Sequence, residues 1–227
     1  MTPSDPDAGT ASFGGFPVAA LDFYEALEAD NTKAFWTENR DVYESAVRTP
    51  LLALCDQMAE EFGPAKVFRP YRDVRFSKDK SPYKTAQGAV LGMQEGAGAL
   101  YVQLSAAGLL VAAGYHEMAG DQVQRYREAV DDETIGEQLA EVIAGVEDAG
   151  HTIDGDRLKT RPRGYAEDHP RLDLLRFRTL TAMHEYPPQP WLHTAEAAEV
   201  ISRTWREMAP LNRWLQANVG ASRAERR

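Results

Sequence analysis

The chain has 227 residues, with 25 Lys and Arg against 35 Asp and Glu, for a net charge of −10. That balance argues against general binding to nucleic acid or to an anionic membrane, and the single Cys55 excludes an internal disulfide and a cysteine-based zinc site. Hydrophobic residues at 43% and charged residues at 26% are ordinary for a globular fold of this length, and no apolar run reaches the length needed to span a bilayer.

Residues 1–15 are rich in Pro, Gly, Asp, Ser and Thr and read as a disordered tail. They lack the basic start and apolar core of a signal peptide, so a cytoplasmic protein is the default expectation. From Phe16 the pattern turns helical, with Phe16, Ala20, Phe23 and Leu27 on one face. Asp30 or Asn31 is placed to cap the next helix. A longer apolar face then recurs at Tyr43, Val47, Leu51, Leu54, Met58 and Phe62; Pro50 kinks or restarts that helix, and Gly63-Pro64 stops it. Cys55 falls among Leu51, Leu54 and Met58, which marks it as a buried structural thiol.

After a charged stretch, Gln87 to Met93, Leu100 to Leu104 and Leu109 to Tyr115 form three strand-like runs joined by short Gly-containing turns, an antiparallel meander. Helices return at Asp121, with faces Val123, Tyr126, Val130 and then Ile135, Leu139, Val142, Ile143, Val146. Asp131 or Asp132 caps the second and Gly150 ends it. Arg157 to Pro170 is irregular, and Arg178 to Tyr186 suits a last strand. A final helix starts near Thr194 and buries Ile201, Trp205, Met208, Leu211 and Leu215, with a kink expected at Pro210. The expectation is one α+β domain over residues 16–220, its antiparallel sheet centred on 86–115 and covered by helices from both ends, with 221–227 as a second loose tail.

The charged stretch is the strongest functional signal. Lys66, Arg69, Arg72, Arg75, Lys78, Lys80 and Lys84 face only Asp73 and Asp79, a local charge of +5, so the rest of the chain carries −15. Pro70 and Pro82 forbid one continuous helix, and Arg72, Val74 and Phe76 alternate as a short strand would, followed by a loop from Ser77 to Tyr83. One reading is an anion cradle built from Arg72, Arg75, Lys78, Lys80 and Lys84, since guanidinium forks suit phosphate or carboxylate and lysines add point charge. The other is an ordinary salt-bridge network with the excess carboxylates. Asp73 orients Arg75 from the same face; general base and metal ligand are its alternative roles. Tyr71 and Tyr83 flank the cluster as supports, and Phe76 belongs to the core.

The segment Tyr71-Arg-Asp-Val-Arg-Phe-Ser-Lys-Asp-Lys-Ser-Pro-Tyr-Lys84 resembles the hallmark of a mainly microbial family classed as a domain of unknown function. The opening Phe16…Phe23-Tyr24…Leu27…Asn31…Phe35-Trp36…Asn39-Arg40…Tyr43 is similar to that family's start. Ala112-Ala113-Gly114-Tyr115 and Arg161-Pro162-Arg163-Gly164-Tyr165…Asp168-His169-Pro170…Leu174-Leu175 follow its pattern as well. The resemblance covers most of the chain and implies no activity, substrate or cofactor.

Other constellations are weaker. His116, His151, His169, His184 and His193 are scattered without metal-ligand spacing, and no nucleophile elbow, P-loop or dinucleotide fingerprint occurs. The four tryptophans sit at core-like positions. The residues therefore support an anion-binding domain for a phosphate- or carboxylate-bearing ligand built around 69–84, with or without chemistry. An interaction module docking an acidic partner and a nucleic-acid-processing protein are the alternatives, the second opposed by net charge. Oligomeric state and cofactor stay open.

Overall fold

The computed structural model describes residues 12–73, 75, 79–94 and 96–224. Helices α1 (Val18–Ala29), α2 (Lys33–Val42) and α3 (Thr49–Phe62) come first, with α2 and α3 joined by a π-helical stretch, Tyr43–Arg48. A three-residue strand β1 (Ala65–Val67) leads to the meander β2 (Ala86–Leu91), β3 (Ala99–Ser105) and β4 (Gly108–Tyr115). Then follow α4 (Gly120–Asp131), α5 (Glu133–Asp148), β5 (Thr152–Asp154), the one-turn α6 (Leu172–Leu175) and β6 (Leu180–Tyr186). A 3₁₀ turn, Pro190–His193, precedes the last helix, α7 (Glu196–Asn218). The architecture is α+β: a six-stranded, wholly antiparallel sheet in the order β1-β2-β3-β4-β6-β5. Among the described residues no helix is long and apolar enough to cross a membrane.

Register explains the burial. Ala89 pairs with Val102 and Val102 with Val111; Leu104 pairs with Leu109, and Ala113 with Ala182. Successive strand residues point to opposite faces, so these side chains share one face, and all of them are buried. The helices cover that face in two clusters side by side. One holds Phe16, Phe23, Leu27, Tyr43, Leu51 and Leu54 over β2–β4. The other holds Tyr126, Val130, Leu139, Val146, Leu175 and Phe177 over the β4–β6 side. Helix α7 belongs to both, giving Ile201 and Trp205 to the first and Met208, Leu211, Trp214 and Leu215 to the second. Leu100 packs against each.

Several local expectations shift. The cap of α2 is Thr32, whose Oγ1 accepts from Phe35 N–H at 3.2 Å; Asn31 is engaged elsewhere. As expected, Asp132 caps α5, accepting from Thr134 and Ile135 N–H at 3.0 and 2.8 Å. Pro50 lies in the first turn of α3, where the α-helix resumes after the π stretch. A proline ring clashes with the carbonyl four residues earlier, here Ala46, and the widened π turn lies over that position. The long α7 runs on through Pro210. Phe13, within the span expected as a tail, is 2% exposed and packs edge-on against Phe16. Phe16 N–H bonds to the Leu192 carbonyl at 2.9 Å. At the other end Ser222 Oγ and Arg223 N–H both donate to Asp121, at 2.9 and 2.7 Å. These bonds, with Arg125 beside them, hold the Asp121 carboxyl well below the usual range.

Candidate functional site

The strand expected at residues 72–76 is absent at Arg72, Asp73 and Arg75; Val74, Phe76 and the expected ligand Lys78 lie outside the described residues. The chain instead makes a narrow hairpin one step earlier. Tyr71 and Tyr83 form a single antiparallel bridge. On either side of it Arg72 N–H donates to Pro82 C=O at 2.9 Å and Lys84 N–H to Pro70 C=O at 2.8 Å. Prolines have no N–H, so each serves only as acceptor and the ladder cannot extend through them. That is the physical reason the segment stays a bridge.

Asn31 pins this hairpin to the helices. Its Nδ2 donates to Tyr83 C=O at 3.0 Å and its Oδ1 accepts Tyr83 N–H at 3.1 Å. The Tyr83 ring lies flat on Trp36, with centroids 4.2 Å apart and planes 6° from parallel. Tyr43 and Tyr71 close round Trp36 at 4.8 and 6.2 Å. Below them Tyr43 O–H donates to Gln87 Oε1 at 2.7 Å, and Gln87 Nε2 donates to Phe68 C=O at 2.6 Å. Gln87 is 1% exposed, so this chain satisfies a buried amide that would otherwise be costly. Burial pushes the Tyr43 phenol up to about 12, which keeps it a donor.

The cations divide into groups. Arg75 is gripped by its own neighbour: Nε and Nη2 donate to the two oxygens of Asp73 at 3.0 and 2.7 Å. The pair lowers the Asp73 carboxyl and raises the guanidinium, and Arg75 remains 77% exposed. Arg72 pairs through Nη1 with Asp79, whose other oxygen accepts Ser81 N–H at 2.9 Å and Ser81 Oγ–H at 2.6 Å. The Nε of Arg72 is buried with no acceptor among the described residues. Lys84 lies with its Nζ 5.4 Å from the centre of the Phe68 ring. Burial first, then the charges of Arg69 and Arg72, hold its ammonium below the usual lysine range. Lys80 is exposed on the same loop. The residues that stand together are thus Arg69, Arg72 and Lys84, with Asp73 and Arg75 forming a separate outer pair. Arg69 carried no site assignment in the sequence reading, and neither did Asn31, Trp36, Tyr43 or Gln87. Asn31 reaches Tyr83, Tyr43 reaches Gln87 and Gln87 reaches Phe68 across 19 or more residues, a distance no short window shows. Asn31, Trp36 and Tyr43 stand in the family's opening pattern, which gives them no site role.

Comparison with protein families aligns residues 19–214 with the conserved hypothetical protein family DUF2461. The chain belongs to that family. No curated protein and no solved structure matches it.

Elsewhere in this DUF2461 chain the fold joins two histidines that are 33 residues apart. His151 Nδ1 and His184 Nδ1 are 3.1 Å apart, and His151 Nε2 lies 2.9 Å from Glu207 Oε2. Among the described residues no three His, Cys, Asp or Glu side chains gather in a way that could hold a metal ion. The Glu207 carboxylate can only accept, so the hydrogen in its bond to His151 sits on Nε2. Burial and the neighbouring His151 lower the His184 pKa, while the Gly150 backbone and Glu207 pull the other way. The folded state therefore binds fewer protons here than the unfolded chain, and stability rises with pH across this titration. As pH falls below the ordinary histidine range, about 6.5, this contribution is lost. Melting temperatures taken from pH 7.5 to 5 should fall less steeply in His184→Gln than in the wild type. Parallel slopes would remove the His pair from the acid response.

Proposed function

We propose that Arg69, Arg72 and Lys84 bind the anionic group of a small cytoplasmic ligand, a phosphate or a carboxylate. The observation that carries this reading is Lys84. Burial, Arg69 and Arg72 all disfavour the charge on its ammonium. The Phe68 ring 5.4 Å away favours it, and Asp79 neutralises part of the charge of Arg72 but is not among the groups that act on Lys84. Like charges held together in this way cost stability unless an anion offsets them. The buried, unpaired Nε of Arg72 adds a donor in want of an acceptor. A phosphate or carboxylate oxygen answers both, because guanidinium forks and an ammonium are its usual partners. Tyr71 and Tyr83 support the site by fixing the hairpin on Trp36. Arg75 and Lys80 carry general positive charge on the same loop, and Asp73 holds Arg75.

The test is stabilisation by inorganic phosphate, sulfate and citrate, read as melting temperature. A ligand that binds only the folded state should add about 2.7 kcal/mol at a hundredfold excess over its dissociation constant. Lys84→Ala and Arg69→Ala should remain folded and lose that gain. Arg75→Ala, whose partner is local and exposed, should keep it. A wild type indifferent to all three anions would end the proposal. So would a gain that survives Lys84→Ala.

A further inference from the structure

The helix that carries Trp36 continues beyond α2 through the π stretch into α3, and this continuation builds a pocket. Eight residues of regular α-helix turn about 800°, which would leave positions 40 and 48 roughly 80° apart around the axis. The i→i+5 winding of Tyr43–Arg48 turns less per residue and takes up that offset. Arg40, Glu44 and Arg48 consequently open on one cavity of about 320 Å³, walled by Trp36, Tyr43 and Tyr71. Single wide turns of this kind recur at functional sites.

The chemistry of the walls is specific. Arg40 is exposed and has no carboxylate partner among the described residues. Arg48 reaches only Glu44, at 3.4 Å, with both side chains more than 40% exposed, a pair too long and too wet to bind either strongly. Two guanidinium groups against one carboxylate leave the rim positive. Tyr71, one of the few large apolar side chains that is exposed, is 50% accessible and continues the aromatic wall from Trp36. The larger cavity of about 420 Å³ is lined by Arg206 and Arg213, but Arg206 is held by Glu61 at 2.7 and 2.6 Å and its tryptophan, Trp205, is 1% exposed, so it presents one open guanidinium and no exposed tyrosine.

The geometry points to a second binding pocket, for a planar ring bearing one carboxylate or phosphate group, separate from the cations at Lys84. The ring stacks on the half-exposed Tyr71, with the buried Trp36 behind it as the wall of the pocket, as bases do on aromatic platforms. The anion is forked by Arg40 and Arg48, displacing Glu44 from Arg48. A volume of about 320 Å³ lies at the small end of ligand sites and suits a body of one or two rings.

The experiment uses the full chain and tryptophan fluorescence or calorimetry with four probes: benzoate, adenosine monophosphate, cyclohexanecarboxylate and inorganic phosphate. Benzoate or the nucleotide should bind, and which of the two binds more tightly identifies a carboxylate or a phosphate source. Cyclohexanecarboxylate should bind at least tenfold more weakly than benzoate. Arg40→Ala and Arg48→Ala, both at exposed positions, should each weaken the ring-bearing anion about tenfold or more with the melting temperature nearly unchanged. Tyr71→Ala should weaken it as much while also lowering the melting temperature, because Tyr71 packs on Trp36 and Tyr83. Lys84→Ala should leave it unaltered. Loss of ring-anion binding in Lys84→Ala but not in Arg40→Ala would assign the ligand to the hairpin cations and overturn the pocket. Equal binding of the flat and puckered acids, or no binding of either flat anion by the wild type, would overturn it too.

Discussion

Replacing Trp36 by alanine is expected to destabilise the protein by about 3–5 kcal/mol, the range for removing a buried tryptophan, and to abolish its response to anions in the same step. The indole is 6% exposed. It stacks on Tyr83 at 4.2 Å and touches Phe23 at 5.9 Å and Tyr43 at 4.8 Å, so it connects the hairpin that bears Arg72 and Lys84 with the core under α1. Without it the hairpin keeps the two bonds from Asn31 but loses its platform, and Tyr71 and Tyr83 lose their shared neighbour. Denaturant unfolding of Trp36→Ala, with and without phosphate, checks both parts. Trp36→Phe should recover part of the stability, since a six-membered ring still fills much of the space. A variant that loses stability but keeps a full phosphate response would show that the cations hold their places without the aromatic support.

The second large effect is expected at Trp205, which is 1% exposed. Its Nε1–H points at two carbonyls, Tyr101 at 3.3 Å and Ala112 at 3.2 Å, residues paired across β3 and β4. The Phe62 ring meets it edge-on at 5.1 Å. Trp205 thus fastens α7 to the middle of the sheet where the two core clusters meet. Trp205→Ala should cost about 3–5 kcal/mol through lost burial and the cavity left behind. Trp205→Phe removes the donor and one ring and should cost less, about 1–2 kcal/mol. Chemical denaturation ranks the two; equal losses would assign the stabilisation to the hydrogen bonds rather than to packing. The anion response should survive in both as long as they fold, because Trp205 lies apart from the hairpin. That contrast separates a core residue from one that supports the site.

Local physics was legible in the chain. The meander is written in alternation: Leu100, Val102 and Leu104 need partners on one face, and Leu109, Val111 and Ala113 supply them. The helix faces are equally local, since positions three and four apart meet on one stripe whatever the rest of the chain does. The basic island was visible as charge, and the pairing of Asp73 with Arg75 follows from two residues of separation.

What the tertiary structure decided is mostly a matter of distance along the chain and competition for partners. Asn31 looked like a helix cap, but the Tyr83 backbone claims both ends of its amide and Thr32 caps instead. The three-residue strands β1 and β5 are too short to show a period and exist because a neighbouring strand offers them unpaired backbone groups. His151 and His184 carry no motif, and only the antiparallel packing of β5 on β6 and the crossing of α7 bring them and Glu207 together. The cations of the island share a sequence window, yet Arg75 turns to Asp73, Arg72 pairs with Asp79, and Lys84 lies over Phe68. Arg40 and Arg48 meet at one cavity because the π stretch Tyr43–Arg48 rewinds the helix between them. Each of these depends on which groups are still unsatisfied once the sheet has closed, and that is a property of the folded chain rather than of any stretch of it.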